Sequence, residues 1–153
     1  MRTFTEAIVT IVSAMALTAG TALSVSADEK AAIKYRQAVM KAVGGHMGGS
    51  VAIIKSQVPY KDDLVAHATG LNDMANIAAN AFKQRTEGGK TRAKSEIWEH
   101  ADDFSDKIED MKKATAAFLA AARSGGPAAA GAKLGAVGDT CKGCHKKFRT
   151  KKS

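Results

Sequence analysis

The sequence predicts an all-α fold, an antiparallel up-down-up-down four-helix bundle. Three observations carry that expectation. Only two prolines stand among 153 residues and aromatic side chains make up 5% of them, while alanine, the best helix former, is abundant. Four stretches place apolar residues at three-four spacing, and none alternates with the period of two that marks a strand. The first and third connections are short, which makes successive helices antiparallel neighbours.

The first helix is expected from about Asp28, read as its N-cap, to about Ser56, with a heptad-like seam of Ile33, Met40, Val43, Met47, Val51 and Ile54. Gly44, Gly45, Gly48 and Gly49 interrupt it, each costing on the order of 1 kcal/mol against alanine. Close approach of another helix or of a flat ligand would offset that cost. Pro59-Tyr60 with Asp62-Asp63 marks a turn and the next N-cap. The second helix, about Asp63 to Phe82, carries Leu64, Ala68, Leu71, Ala75, Ala78 and Phe82 on one face. A polar, glycine-containing loop from Lys83 to Lys94 follows. The third helix begins after Ser95, with Ile97, Ala101, Phe104, Ile108, Met111 and Phe118 at helical spacing. Ser124-Gly125-Gly126-Pro127 stops it, and Pro127 suits the first turn of the fourth. That helix has Ala130, Leu134, Val137, Cys141, Cys144 and Phe148 on one stripe, so both cysteines face the core.

Ahead of these helices, Arg2, the apolar run Ala7 to Ala19 of about 13 residues and the small residues Val25-Ser26-Ala27 form the pattern of a secretory signal peptide. The run is short of the roughly 20 residues that span a bilayer. The expected organisation is a signal peptide over 1–27, cleaved after about Ala27, and one domain over 28–153. The net charge of +8 survives cleavage, since the leader holds one Arg and one Glu. A basic balance of this kind attracts acidic partners. Nucleic acid is excluded as a partner class, because the basic residues are spread out except at the C-terminus and few aromatics are available to stack on bases. Export also places the two cysteines in an oxidising compartment, where thiols pair, bind something or are consumed covalently.

Those cysteines lie in Cys141-Lys142-Gly143-Cys144-His145, a C-x-x-C-H sequence and a haem-attachment pattern. Thiols at i and i+3 of a helix project from one side, so both reach the vinyl groups along one porphyrin edge, and the next residue sets an imidazole beside them for the iron. Three other readings compete. A thioredoxin-like redox pair uses C-x-x-C but opens a helix after a strand. A zinc site needs four ligands, and His46, His67 and His100 are far off in sequence. A disulfide at i, i+3 within a helix is strained.

A signal peptide, a four-helix pattern and a single C-x-x-C-H near the C-terminus together resemble the class II c-type cytochromes, the cytochrome c′ family. Most other small cytochromes c carry the motif near the N-terminus. Weaker matches are Tyr35-Arg36-Gln37, Pro59-Tyr60, Thr86-Glu87-Gly88-Gly89, Glu96-Ile97-Trp98, and Lys146, Lys147, Phe148 and Arg149. The resemblance implies one haem c in the bundle core, bound through Cys141 and Cys144 with His145 as proximal ligand. It implies no bond chemistry on a substrate: the expected function is periplasmic electron transfer, the alternative a five-coordinate protein that takes nitric oxide or carbon monoxide. Met40 matches a position over the distal face, where methionine either ligates iron, as in low-spin members, or only blocks the sixth site. Arg36 matches an arginine near a haem propionate, and Arg149 one at the proximal face. The cluster of Lys146, Lys147, Arg149, Lys151 and Lys152 also complements the negative end of the fourth helix and would steer an acidic redox partner.

Phe82 and Trp98, at helix ends flanking the long loop, are expected as walls of the haem pocket, and Phe148, one turn beyond Cys144, as cover for the proximal side. Met47 is expected to pack in the core. His46 is read as a surface residue or a neighbour of the site, and His67 and His100 as surface residues. Family members often pair through their first two helices, so a homodimer is a further expectation.

Overall fold

The computed structural model describes residues 26–86 and 88–151, and the expected signal peptide lies, apart from Ser26 and Ala27, outside the described residues. Helix α1 spans Ala27–Ile54, α2 Leu64–Ile77, α3 Glu96–Glu99 and α4 Ala101–Phe148. The only β-type pairing among the described residues is an isolated antiparallel bridge between Ala93 and Arg149. None of the described helices is long and apolar enough to cross a membrane.

The N-cap of α1 is Ser26, not the expected Asp28. The Ser26 hydroxyl accepts from the Glu29 amide and the Glu29 carboxylate accepts from the Ser26 amide, a closed capping box. Cleavage after Ala27 would remove this cap and leave Asp28 and Glu29 to meet the positive end of the helix. At the other end α1 stops two residues early. The amides of Ser56 and Gln57 donate to the carbonyls of Ile53 and Ala52, with Ser56 left-handed at φ 54°, the Schellman arrangement. The fully buried positions of α1 are Ile33, Arg36, Val39, Val43, Ser50 and Ile53. The expected seam is therefore rotated: Met40, Met47, Val51 and Ile54 stand half-buried on its flank.

Helix α2 keeps its expected face, with Leu64, Ala68, Leu71 and Ala75 buried, and tightens into a 3₁₀ segment over Ala78–Phe82. The third helix is not continuous from Ser95. The backbone breaks at His100 (φ −123°, ψ 56°) between α3 and α4, which leaves Ala101 exposed rather than in the core.

Helix α4 has two arms meeting at Gly126, whose φ of 59° and ψ of −151° are not helical. Glycine alone adopts that conformation without strain, and Pro127 starts the second arm. In one straight helix Phe104 and Phe148 would stand about 66 Å apart at 1.5 Å per residue. Their ring centroids are 5.2 Å apart, so the chain reverses at Gly126 and the arms are antiparallel. With α1 and α2 they complete the four-helix bundle.

Apolar side chains divide into two clusters. The larger joins Val43 and Ile53 of α1, Leu64, Ala68, Leu71 and Ala75 of α2, and Met111, Phe118, Leu119, Ala122, Ala130 and Val137 of both α4 arms. The smaller, at the other end, consists of Ala78, Ile97, Phe104, Ile108 and Phe148. Met40 packs against both clusters.

Candidate functional site

The second arm of α4 presents Cys141 and Cys144 one turn apart, both half-buried and both free thiols. Cys144 packs against the smaller cluster, alongside Met40, Phe82, Ala93 and Trp98. Burial, and then the nearby Cys141, push the Cys144 thiol up to about 11. Burial raises Cys141 as well. Both groups are therefore protonated at neutral pH. A redox dithiol needs the opposite shift, supplied by a helix N-terminus or a neighbouring cation. Here the motif lies in the last turns of a helix, at its negative end, with no strand before it. The oxidoreductase reading loses its physical basis. The reading of the two cysteines as part of a zinc site fails too, since among the described residues they belong to no group of three or more His, Cys, Asp or Glu suited to a metal.

His145 is half-buried, and its Nε2 lies 3.4 Å from Arg149 Nη1. Burial first, then the positive charges of Arg149 and Arg92, hold the imidazole below its ordinary pKa. At neutral pH it is the neutral form, the one that binds a metal. Only Cys144 packs against the apolar cluster, so the expectation that both cysteines face the core holds for one of them. Two neutral thiols one turn apart, with a neutral imidazole next in the chain, are still the donor set that a covalent haem requires.

Aromatic rings wall this cluster. Phe82 meets Phe104 edge-on at 4.8 Å, and Phe104 meets Phe148 at 5.2 Å. The Trp98 indole N–H donates to the Phe82 carbonyl at 2.7 Å. Between Phe82 and Trp98 lies the guanidinium of Arg36, 5.1 and 5.2 Å from the two ring centroids, in cation–π contact with both. Arg36 is only 4% exposed. Its Nε donates to Ala81 O (3.0 Å), Nη1 to Thr86 Oγ1 (3.1 Å) and Thr91 Oγ1 (3.4 Å), and Nη2 to Gln84 O (3.2 Å). These bonds use four of its five N–H groups, leaving one for the carboxylate that the resemblance implies. Desolvation lowers its pKa, yet an arginine stays charged at any working pH.

Arg36 thus clasps the long loop at Gln84, Thr86 and Thr91, and the C-terminus holds its far end. The Lys94 amide donates to Phe148 O, the Thr150 amide to Arg92 O, and the Arg92 guanidinium twice to Thr150 O. Lys94 Nζ also caps the end of α4 at Lys147 O (3.1 Å). Lys147 pairs with Asp103, tying the ends of the two α4 arms together.

The cluster at this end thus gathers Cys144, Met40, Phe82, Trp98 and Phe148, with Arg36 stacked against two of its rings and Arg149 beside His145. A family model described as Cytochrome C' matches residues 31–149. The chain belongs to the cytochrome c′ family. A cytochrome c′ from Pararhodospirillum photometricum is 37% identical over 124 residues, covering 80% of this chain and 99% of that protein. A cytochrome c-556 from Agrobacterium tumefaciens (strain II Chrys) is 33% identical over 121 residues, covering 78% and 98%. A ferrous variant of cytochrome c prime from Alcaligenes xylosoxidans, solved with bound NO, superposes with a TM-score of 0.74 at 32% identity, covering 83% of this chain and 99% of that one. The family binds one covalent haem c, and the chain's only two cysteines are those of the C-x-x-C-H.

Other expected residues lie elsewhere. Met47 packs against the larger cluster, as core methionines do. His67, expected on the surface, is half-buried against His46 in the seam between α1 and α2, with ring centroids 5.6 Å apart. Sequence reasoning named Phe104 as core but missed its place between Phe82 and Phe148, and it missed Thr86 and Thr91 as partners of Arg36. No periodicity signals contacts of that span.

Proposed function

We propose that the protein is a periplasmic electron carrier of the cytochrome c′ family, with Cys141 and Cys144 as covalent anchors, His145 as proximal ligand and Met40 as sixth ligand. When bound, the haem supplies a one-electron Fe(II)/Fe(III) couple. The observation that carries this reading is the place of Met40. It is half-buried, bridges the two clusters and stands one helical turn from Arg36, on the side of α1 that faces the cluster holding Cys144. A thioether there is close to the anchors without being locked into the core, and methionine ligation favours a high potential. The aromatic walls exclude water, and the Arg36 clasp holds the loop over this end of the bundle. The leader over 1–27 supports export, and covalent haem attachment takes place on the exported side of a membrane.

Exposed Lys146, Arg149 and Lys151, with Lys147 and Lys94 nearby, give the end of α4 a positive surface for an acidic redox partner. The association rate with such a partner, followed by stopped flow, falls steeply as salt is raised. A salt-independent rate would remove the steering role.

The second reading, a gas-binding protein, rests on the relative solved with NO. Carbon monoxide separates the two. On the electron-carrier reading the ferrous holoprotein shows a sharp, split low-spin spectrum that the gas leaves unchanged, and Met40→Ala converts it to a gas-sensitive high-spin form. A broad high-spin spectrum of the unaltered protein that sharpens with the gas would make Met40 a guard of an open site.

A further inference from the structure

Among the described residues, three buried side-chain nitrogen or oxygen atoms have no hydrogen-bond partner: His46 Nδ1, Ser50 Oγ and His67 Nδ1. All three residues belong to the α1–α2 pair. His46 and Ser50 are one turn apart on α1, and Ser50 is completely buried. The Nδ1–Cε1–Nε2 edge of His46 lies against Gly70 of α2, and the same edge of His67 lies against Gly49 of α1. The two pairs share one antiparallel register. A Cβ at either glycine would overlap the facing imidazole, so Gly49 and Gly70 make the room in which the two rings meet. This explains one of the four α1 glycines, for Gly44, Gly45 and Gly48 face open space.

Unpaired buried polar atoms cost about 1–3 kcal/mol each, and three in one seam call for a common partner. The rings have the spacing that a shared metal ion sets. An ion 2.0–2.1 Å from a ring nitrogen stands about 3.2 Å from the ring centre, so two imidazoles on one ion hold their centroids about 5–6 Å apart. The observed separation is 5.6 Å, with the planes at 68°. Both residues are half-buried with their Nδ1 atoms enclosed, so the seam lies close to solvent while the unpartnered nitrogens are shielded from it.

We propose that His46 and His67 form a second metal site, distinct from the haem end of the bundle, which takes a borderline divalent cation such as Zn²⁺, Cu²⁺ or Ni²⁺. Imidazole nitrogens suit these ions. Two protein nitrogens leave positions for water, with the Ser50 hydroxyl as a neighbouring acceptor. Bound there, the ion ties α1 to α2 halfway along the bundle. Neither residue belongs to the haem site, so the proposal stands whichever reading of Met40 is right.

Calorimetric titration of the haem-loaded protein with Zn²⁺ is the test. One ion binds per chain. His46→Gln and His67→Gln, which keep most of the side-chain volume, each weaken binding by more than the roughly 10–100-fold that loss of an outer-shell partner costs, while His100→Gln leaves it unchanged. The haem spectrum reports in the same samples that the variants are folded. Gly70→Ala gives a second arm: it keeps both histidines but pushes the His46 ring aside, and binding weakens again. In the ferric protein Cu²⁺ shows an EPR signal split by two imidazole nitrogens. Absence of binding heat, or Zn²⁺ binding that folded His46→Gln and His67→Gln proteins retain undiminished, would overturn the proposal.

Discussion

With serine at both Cys141 and Cys144, all of the haem passes into acid acetone, whereas the unaltered chain keeps all of it. The thioethers are the only covalent links available, because the sequence has no other cysteine. What remains in the double variant is ligation by His145 and burial, both reversible. The single variants separate the two anchors. Cys144 packs into the aromatic cluster and Cys141 does not, so Cys144→Ser also places a polar hydroxyl against apolar rings, at a cost of about 1–3 kcal/mol. Each single variant retains its haem through one thioether and shows a shifted pyridine haemochrome band, since one vinyl group stays unsaturated. Covalent haem in the double variant, or none in the unaltered protein from cells competent in cytochrome c maturation, would contradict the attachment site.

Arg36→Met lowers stability by about 2–5 kcal/mol. Methionine fills the slot between Phe82 and Trp98 but donates to none of Ala81 O, Gln84 O, Thr86 Oγ1 and Thr91 Oγ1. Thr86 and Ala81 are buried, so water does not replace the guanidinium there, and each acceptor left unpaired costs about 1–3 kcal/mol. Arg36→Lys does not rescue the loss, since an ammonium has neither the planar fork nor the face that stacks between two rings. Urea unfolding of the haem-loaded protein measures it as a lower midpoint at unchanged slope. A change within about 0.5 kcal/mol, the range of an ordinary surface substitution, would mean that the loop does not depend on the clasp.

The sequence made the helices legible where one face repeats. The stripe from Leu64 to Ala78 is buried as expected, and Pro127 starts its helical arm. The C-x-x-C-H made Cys141, Cys144 and His145 legible as the candidate haem-binding residues because its chemistry is local. Where a second element decides, the reading slipped. The seam of α1 is rotated because α1 packs chiefly on α2, which no property of α1 alone reveals. Ser26-Ala27-Asp28-Glu29 is a capping-box sequence, but the same small residues read as a cleavage signal. The break at His100 has neither proline nor glycine to announce it. Arg36 looked like a pocket-edge charge, because its partners stand 45 to 55 residues away. Nothing in the sequence pairs His46, read as a surface residue or a neighbour of the haem site, with His67, read as a surface residue; the antiparallel register of α1 and α2 sets them side by side.

The division of the interior into two clusters gives the molecule a hinge-like asymmetry in time as well as in space. The larger cluster joins α1, α2 and both arms of α4 without Cys141, Cys144 or His145, so that end of the bundle closes on its own apolar contacts. The smaller cluster has only five buried members, Ala78, Ile97, Phe104, Ile108 and Phe148, with Met40, Phe82, Trp98 and Cys144 packed against it. The neighbouring loop is fastened by hydrogen bonds to Arg36 and Thr150. Partial opening therefore begins at the clasped end, at lower free energy than global unfolding. A planar prosthetic group can enter there, during maturation, while the opposite end of the bundle stays shut.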